Sequence, residues 1–262
     1  MGKRKPAKKT KPAGVVLAGP NPGVVDGNFF GSVSALLLHD ANNRQAVTRY
    51  GGCIWLESSP RIHAARCEIV AGFLEDTSQW PEPPEWLLFI DADMKFGPTV
   101  VDQMLETVEN NKDKDIKILG GLCFAGGRGP RAFPTLYTVQ GDGGEHDPTK
   151  PLNLVRHFEY PQDELVKVNA TGGAFLMIHR DVLIDMLEKT SDEEPYPWFK
   201  EYIQAGQAYG EDVFFGLRAG SLGWSTWVHT GIRIGHMKRY DLNEEVYLEN
   251  QEDFIKATLE GG

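Results

Sequence analysis

The stretch Trp86-Leu87-Leu88-Phe89-Ile90-Asp91-Ala92-Asp93-Met94-Lys95-Phe96 decides how the rest of the chain is read. An apolar run from Leu87 to Ile90 follows a proline-rich approach and ends at once in two acids. That pattern predicts a central strand buried on both faces and tipped with carboxylates. Alternation along a strand puts Asp91 and Asp93 on one face at its carboxyl end, the crevice where open α/β sheets take their ligands. Two hard oxygen donors held there suit Mg²⁺ or Mn²⁺, which in turn clamps a diphosphate. Acids ahead of Gly97-Pro98 are also ordinary turn chemistry, so Asp-x-Asp by itself leaves a solvated turn open.

Working outward, Val15 to Pro20 reads as a first strand. Asp26 or Asn28 caps a helix through Phe29, Phe30, Val33, Leu36 and Leu37. Ile54-Trp55-Leu56 is a second strand, and Ser58-Ser59-Pro60 starts a helix through Ile62, Ala65, Ile69 and Phe73. Beyond the acid-tipped strand come a helix from Pro98 to about Asn110 and a strand from Ile116 to Leu119 opening into Gly120-Gly121. Strand, helix, strand in that rhythm predicts parallel pairing with crossover helices. From Gly126 to Lys167 the pattern shifts to glycine, proline and short alternating segments, an antiparallel insertion or long loops. A strand interrupted at Gly172-Gly173 runs to Ile178, and a helix covers Asp181 to Leu187. The acid- and proline-rich stretch from Thr190 to Pro197 reads as a loop. Trp198 and Phe199 beside it fit either a stacking platform or a core pair. Glu211-Asp212 opens a helix, Trp224 to Val228 is a strand, and His236 lies just beyond it. The domain reading is a basic arm over 1–13, an α/β domain over 14–240 and an amphipathic helical segment over 241–262.

With 262 residues, 41% of them hydrophobic and 24% charged, the chain has the makeup of a folded protein rather than a disordered one. No apolar run reaches the roughly 20 residues of a membrane helix. The opening Met1-Gly-Lys-Arg-Lys-Pro has none of the apolar core of a secretory signal, which points to the cytoplasm. Cys53, Cys67 and Cys123 are too scattered for a zinc site or a disulfide framework and read as buried thiols. Charge is uneven: Lys3, Arg4, Lys5, Lys8, Lys9 and Lys11 have no acid among them, although the whole chain carries a net charge of −10. Such an arm is either a polyanion-binding element or a solubilising leader.

Singly, the remaining landmarks have plain explanations. Glu211 and Asp212 complement a helix dipole, His236 could be a satisfied histidine, and Gly172-Gly173 could be a tight bend. Their order is more specific. FIDADM at 89–94, VNATGGAFLMIHRDVL at 168–183, YGEDVFFGLRAGSLGW at 209–224 and IGHMK at 234–238 together resemble the GT-A glycosyltransferases, in particular family-2-like transferases of bacteria and their viruses. The resemblance spans roughly Val15 to Lys238.

This resemblance implies a Rossmann-like α/β/α sandwich with a mostly parallel sheet that binds a nucleotide-sugar, most simply UDP-linked, and Mn²⁺ or Mg²⁺. It implies Asp93 as direct metal ligand, Asp91 nearer the ribose or a metal-bound water, and His236 as a further ligand. Asp212, in the pair with Glu211, becomes the catalytic base. Ala18 and Pro20 on the first-strand edge would grip the nucleotide base, and Arg66 would contact uracil or phosphate. Glu57 is the nearest match to the family's second-strand acid. Gly120, Gly121, Gly172 and Gly173 would let the backbone approach the sugar. A metal neutralises the departing diphosphate, so one base suffices and single displacement inverts the anomeric centre. Viral relatives that sugar-modify pyrimidines make hydroxymethylated DNA the expected acceptor, met through the basic arm, with protein or glycan as the alternative.

Two other classes compete. A sugar-phosphate nucleotidyltransferase needs a basic glycine-rich loop after the first strand, and Val15 to Val25 contains no basic residue. A non-catalytic nucleotide-sugar binder has no use for a base beside the metal ligands.

Overall fold

A computed structural model of the chain describes residues 13–21, 23–51, 61–126, 132–140, 150–191, 194, 197–238, 248 and 251, with the backbone of Cys53–Glu57. The chain opens with β1 (Val15–Asn21), α1 (Gly27–Asn42), β2 (Cys53–Glu57), α2 (Ile62–Ser78) and β3 (Trp86–Ile90). A two-residue β4 (Met94–Lys95), α3 (Val100–Asn110) and β5 (Ile118–Leu122) follow. Then come the short strands β6 (Phe124–Gly126), β7 (Ala132–Pro134), β8 (Leu136–Val139), β9 (Leu154–Arg156), β10 (Leu165–Val168) and β11 (Ala170–Thr171). The last part holds β12 (Phe175–His179), α4 (Arg180–Glu188), β13 (Tyr202–Gln204), β14 (Gln207–Tyr209), α5 (Glu211–Ser221), β15 (Thr226–Arg233) and β16 (Gly235–His236). The basic arm lies outside the described residues except for Ala13, and so does the C-terminal segment except for two isolated positions. No helix among the described residues is long and apolar enough to cross a membrane.

Seven strands form one sheet in the order β10-β15-β5-β12-β3-β1-β2. β1 is parallel to β2 and β3, and β5 is parallel to β15, while β12 opposes both β3 and β5, and β10 opposes β15. The expected mostly parallel α/β sandwich is therefore present, with a reversed strand at its centre. Alternation explains the layers. Trp86, Leu88 and Ile90 of β3 face a core shared with α1 and α3, and Leu87 and Phe89 face one shared with α2, α4 and α5. All five β3 residues are buried, as the unbroken apolar run requires. Of the two caps the sequence offers, Asp26 caps α1, its side chain accepting the Asn28 N–H at 2.8 Å. Cys67 and Cys123 are buried free thiols, and burial pushes Cys67 up to about 11.

Several expectations are corrected. Gly120 and Gly121 lie inside β5 rather than after it. A Cβ on Gly121 would come within 2.8 Å of Ile234 and 3.2 Å of Phe175, so the space belongs to protein neighbours and not to a sugar. Trp198 and Phe199 are buried at 4% and 0% exposure in the α2/α4/α5 core, which selects the core pair over the stacking platform. The strand expected from Trp224 starts at Thr226 and continues to Arg233 through a register shift. The stretch from Gly126 to Lys167 does supply an antiparallel insertion, with β8 between β9 and β11. The β13–β14 hairpin has no counterpart in the sequence reading. Its two-residue turn, Ala205-Gly206, has φ of 48° and 79° without the usual Asn-Gly or Asp-Gly signal.

α4 starts on an unusual cap. His179 accepts the Asp181 N–H through Nδ1 at 3.2 Å, and burial, reinforced by Lys117, lowers its pKa from 6.5 to about 4. The folded state keeps the ring neutral, so the unfolded chain binds the extra proton between about pH 6.5 and about pH 4. This contribution is complete above the unfolded pKa and is lost as pH falls through the folded one. The urea midpoint should therefore rise across that window, and His179→Asn, which keeps a capping oxygen, should flatten the rise; an unchanged slope would remove His179 from the account.

Candidate active site

The site is assembled where β1, β2 and β3 end together. β1 and β2 are parallel with Asn21 level with Glu57, and extending the β1–β3 register puts Pro20 level with Asp91. Ala18 lies further back, wholly buried with its side chain in the core, and Pro20 is buried at the strand end. Of Glu57 the backbone position alone is described.

After Ile90 the strand stops, because Met94 donates its N–H to the Asp91 carbonyl at 3.1 Å and closes a turn. The alternation that would have put Asp91 and Asp93 on one strand face ends there, and the two carboxylates take different partners. Asp91 Oδ1 accepts from Arg66 Nη2 at 2.9 Å. Asp93 Oδ2 meets His236 Nε2 and Lys238 Nζ, each at 3.0 Å.

Backbone pairing brings His236, far along the chain, to Asp93. β16 pairs antiparallel with β4, His236 opposite Met94, and Met237 donates its N–H to the Asp93 carbonyl at 2.8 Å. His236 Nδ1 lies 2.8 Å from the Phe124 carbonyl, which can only accept, so Nδ1–H donates there, and Nε2 is the atom aimed at Asp93, to which it donates when the ring is protonated. Burial alone would raise Asp93, yet hydrogen bonds from His236 and Lys238 outweigh it and hold the carboxyl below its ordinary value. Burial would lower His236, but Asp93 and the Phe124 carbonyl outweigh it and raise the imidazole. Asp93 and His236 thus form a paired oxygen and nitrogen donor at 38% and 19% side-chain exposure, a set that could hold a hard divalent cation. Among the described residues no three His, Cys, Asp or Glu side chains converge as a complete cage.

Arg66 ties the other half of the site together. Its guanidinium, on α2, is 1% exposed and donates from Nη1 to the Gly173 carbonyl at 2.6 Å and from Nη2 to Asp91. Nε lies 3.4 Å from Glu211 Oε1, and the rings of Phe89 and Phe199 flank the group at 5.3 and 5.9 Å. Neither a solvated helix arginine nor a donor-facing one describes it: the guanidinium is directed to protein groups. Gly173 permits this, since a Cβ there would sit 3.0 Å from the guanidinium. At Gly172 a Cβ would instead meet Thr135, 3.2 Å away.

Glu211 and Asp212 occupy the first turn of α5, where acids complement the helix dipole. α5 lies against β11 closely enough that a Cβ on Gly216 would fall 2.4 Å from the Asn169 carbonyl. Burial raises the pKa of both acids. At Glu211 the Arg66 charge opposes the rise and Asp212 adds to it; at Asp212 the Val213 N–H, 2.8 Å from Oδ1, and then Arg66 oppose it. The structure therefore gathers Asp91, Arg66, Gly173, Glu211 and Asp212 around one buried cation, and Asp93, His236 and Lys238 around the adjoining turn. The sequence reading assigned no role to Lys238, although its place two residues after His236 was visible.

No protein-family model matches this sequence, and no curated protein matches it. Solved structures do. A197 from STIV is similar at a TM-score of 0.52 and 17% identity, covering 86% of each chain. GalNAc-T7, determined with UDP, GalNAc and Mn²⁺, is similar at a TM-score of 0.55 and 12% identity, covering 88% of this chain and 45% of that one. This chain thus spans under half the length of that GalNAc-T7 chain. At such identities the likeness is one of fold, and the fold is that of GT-A glycosyltransferases.

Removing the Arg66 charge would leave Asp91 and Glu211 without their buried counter-ion. Arg66→Met should cost about 3–5 kcal/mol of unfolding free energy, and Arg66→Lys should recover little of it because an ammonium cannot fork to three partners. Urea unfolding checks this; a loss below about 1 kcal/mol would mean that the network contributes little.

Proposed function

We propose that this chain is a metal-dependent, inverting glycosyltransferase that moves a sugar from a UDP-linked donor to an acceptor hydroxyl, the acceptor being a 5-hydroxymethylpyrimidine in DNA. The observation that carries the reading is the contact between Asp93 Oδ2 and His236 Nε2 at 3.0 Å, with Nδ1 held by the Phe124 carbonyl. Adjacent ligands on an octahedral ion at about 2.1 Å lie about 3 Å apart, so the pair already has the spacing an ion needs. With Nδ1–H held by the Phe124 carbonyl, a cation that displaces the proton Nε2 shares with Asp93 would find the Nε2 lone pair correctly aimed. Asp93 and His236 would hold the ion, with the remaining positions left to donor oxygens and water in the manner of Mg²⁺ sites built on few side chains. When bound, the ion neutralises charge on the departing diphosphate. The GalNAc-T7 structure contains UDP and Mn²⁺, which supports the same pair of ligands for this fold.

The chain's own groups account for the rest of the chemistry. Asp212, raised by burial, is a stronger proton acceptor than a solvated aspartate and would take the acceptor hydroxyl's proton as that oxygen attacks the anomeric carbon. Glu211 is turned toward Arg66 and would hold the guanidinium in place rather than exchange protons with the acceptor. Lys238 brings a second positive charge to the metal side, suited to diphosphate. The DNA acceptor draws its support from the acid-free basic arm on an otherwise acidic chain. A target base in duplex would have to leave the stack to reach a crevice at the sheet edge.

Incubation with Mn²⁺ and a panel of nucleotide-sugars tests the reaction class. Hydrolysis of a UDP-sugar that EDTA abolishes is expected, and binding without turnover across the panel would leave a nucleotide-sugar binder. Asp212→Asn should keep donor and metal affinity while turnover falls by about 10²–10⁴-fold; near-normal turnover would place the base elsewhere. For the acceptor, deletion of residues 1–12 should weaken binding to hydroxymethylated DNA and flatten its salt dependence. Unchanged DNA affinity would exclude the arm.

A further inference from the structure

The insertion contains an arginine unlike the chain's other paired ones. Arg44, Arg66, Arg180, Arg218 and Arg233 each meet a carboxylate, a carbonyl or a hydroxyl. Arg156, on β9, meets ring faces: its Cζ lies 3.8 Å from the Phe133 centroid, 5.4 Å from Tyr137 and 6.0 Å from Phe158. Its Nε is buried with no hydrogen-bond partner, as are those of Arg66 and Arg218, but those two guanidinia reach oxygen acceptors through Nη2. Cation–π contacts fix the plane of the group but leave its in-plane N–H donors unused. Arg156 is only partly exposed, its Nε is buried without an acceptor, and an oxyanion taking the solvent-facing side of the fork would gain charge-assisted hydrogen bonds that water and ring faces do not supply. Phe158 beside it is 68% exposed, a ring face turned to solvent.

Position connects this cluster with the crevice. Phe133 pairs with Ala125 on the β6–β7 ribbon, and the adjacent Phe124 carbonyl is the one that orients His236. Tyr137 lies directly opposite Arg156 on one side and Ala170 on the other, two residues before Gly172. The strands that carry the cluster are therefore joined by backbone pairing to those that hold the Phe124 carbonyl and lead into the Gly172-Gly173 bend.

We propose that Arg156 and Phe158 form a subsite for a nucleotide unit, the guanidinium taking a phosphate oxygen pair and the exposed ring stacking on the base or sugar. Its role as the acceptor side of the crevice rests on the glycosyl-transfer reading, whereas the binding itself needs neither donor nor metal. Arginine is suited to phosphate because its planar fork can donate two parallel hydrogen bonds, and aromatic–base stacking adds affinity without sequence readout.

The test follows the arginine Nε–H resonances of the full-length, ¹⁵N-labelled protein, without metal or nucleotide-sugar, during titration with inorganic phosphate, thymidine 5′-monophosphate or acetate. Arg156→Gln assigns the signal, and Arg156→Lys does so if the first variant does not fold. The Arg156 signal should shift saturably with phosphate and with the nucleotide, the nucleotide binding about tenfold tighter, a difference of about 1.4 kcal/mol. Phe158→Ala, at an exposed position, should abolish that tenfold advantage and leave phosphate binding intact. An Arg156 signal that ignores both phosphates, or that responds equally to acetate, overturns the phosphate subsite. A nucleotide no tighter than phosphate overturns the stacking part. Because no sugar transfer is read out, failure here is separable from failure of the proposed reaction.

Discussion

One buried guanidinium makes the crevice possible. Three segments reach the same place with charge or an unpaired carbonyl: the end of β3 with Asp91, the Gly172-Gly173 bend before β12 and the first turn of α5 with Glu211 and Asp212. Without a cation between them, three carboxylates would be left close together and the Gly173 carbonyl would lose its donor. Arg66 reaches all three from α2 and is flanked by Phe89 and Phe199, which also pack the core beneath. Core packing and site geometry are thus joined through a single side chain. Gly173 and Gly216 follow from it, since one admits the guanidinium and the other admits α5 against β11.

The Asp93 side of the crevice is built on a different principle. There the short β4–β16 ladder fixes Asp93 against His236, and the Phe124 carbonyl sets the tautomer. Backbone hydrogen bonds do the positioning, so the side chains remain partly exposed and available. The register shift in β15 lets the chain leave the main sheet after Arg233 and enter this ladder. The contrast accounts for the two kinds of carboxylate. Asp91 is neutralised internally, while Asp93 faces histidine and lysine at the surface.

Much of this was legible in the chain. The run Leu87 to Ile90 reads as a doubly buried strand because nothing polar interrupts it, and Asp26, Glu211 and Asp212 announce helix starts by ordinary capping and dipole chemistry. The motif order pointed to a GT-A fold. What escaped depends on tertiary contact. Nothing local distinguishes Arg66, a helix arginine, from a solvated one, and its burial is decided by partners 25 and 107 residues away. Gly120 and Gly121 looked like a loop opening because glycine weakens a strand, yet neighbours from Thr171, Ile234 and Phe175 fill the space. The Ala205-Gly206 turn lacks the dipeptide that usually marks a hairpin. Nothing local marks Arg156, because its aromatic neighbours come from three separated positions in the insertion.

The central claim is that Asp93 and His236 share one divalent cation. Anomalous diffraction from crystals grown with Mn²⁺ and UDP tests it most directly. The account predicts a manganese peak bonded to Asp93 Oδ2 and His236 Nε2, with the UDP diphosphate on the same ion and Lys238 released from its contact with Asp93. UDP bound with no manganese between these two side chains, or manganese bound elsewhere while the Asp93–His236 contact persists, would contradict it.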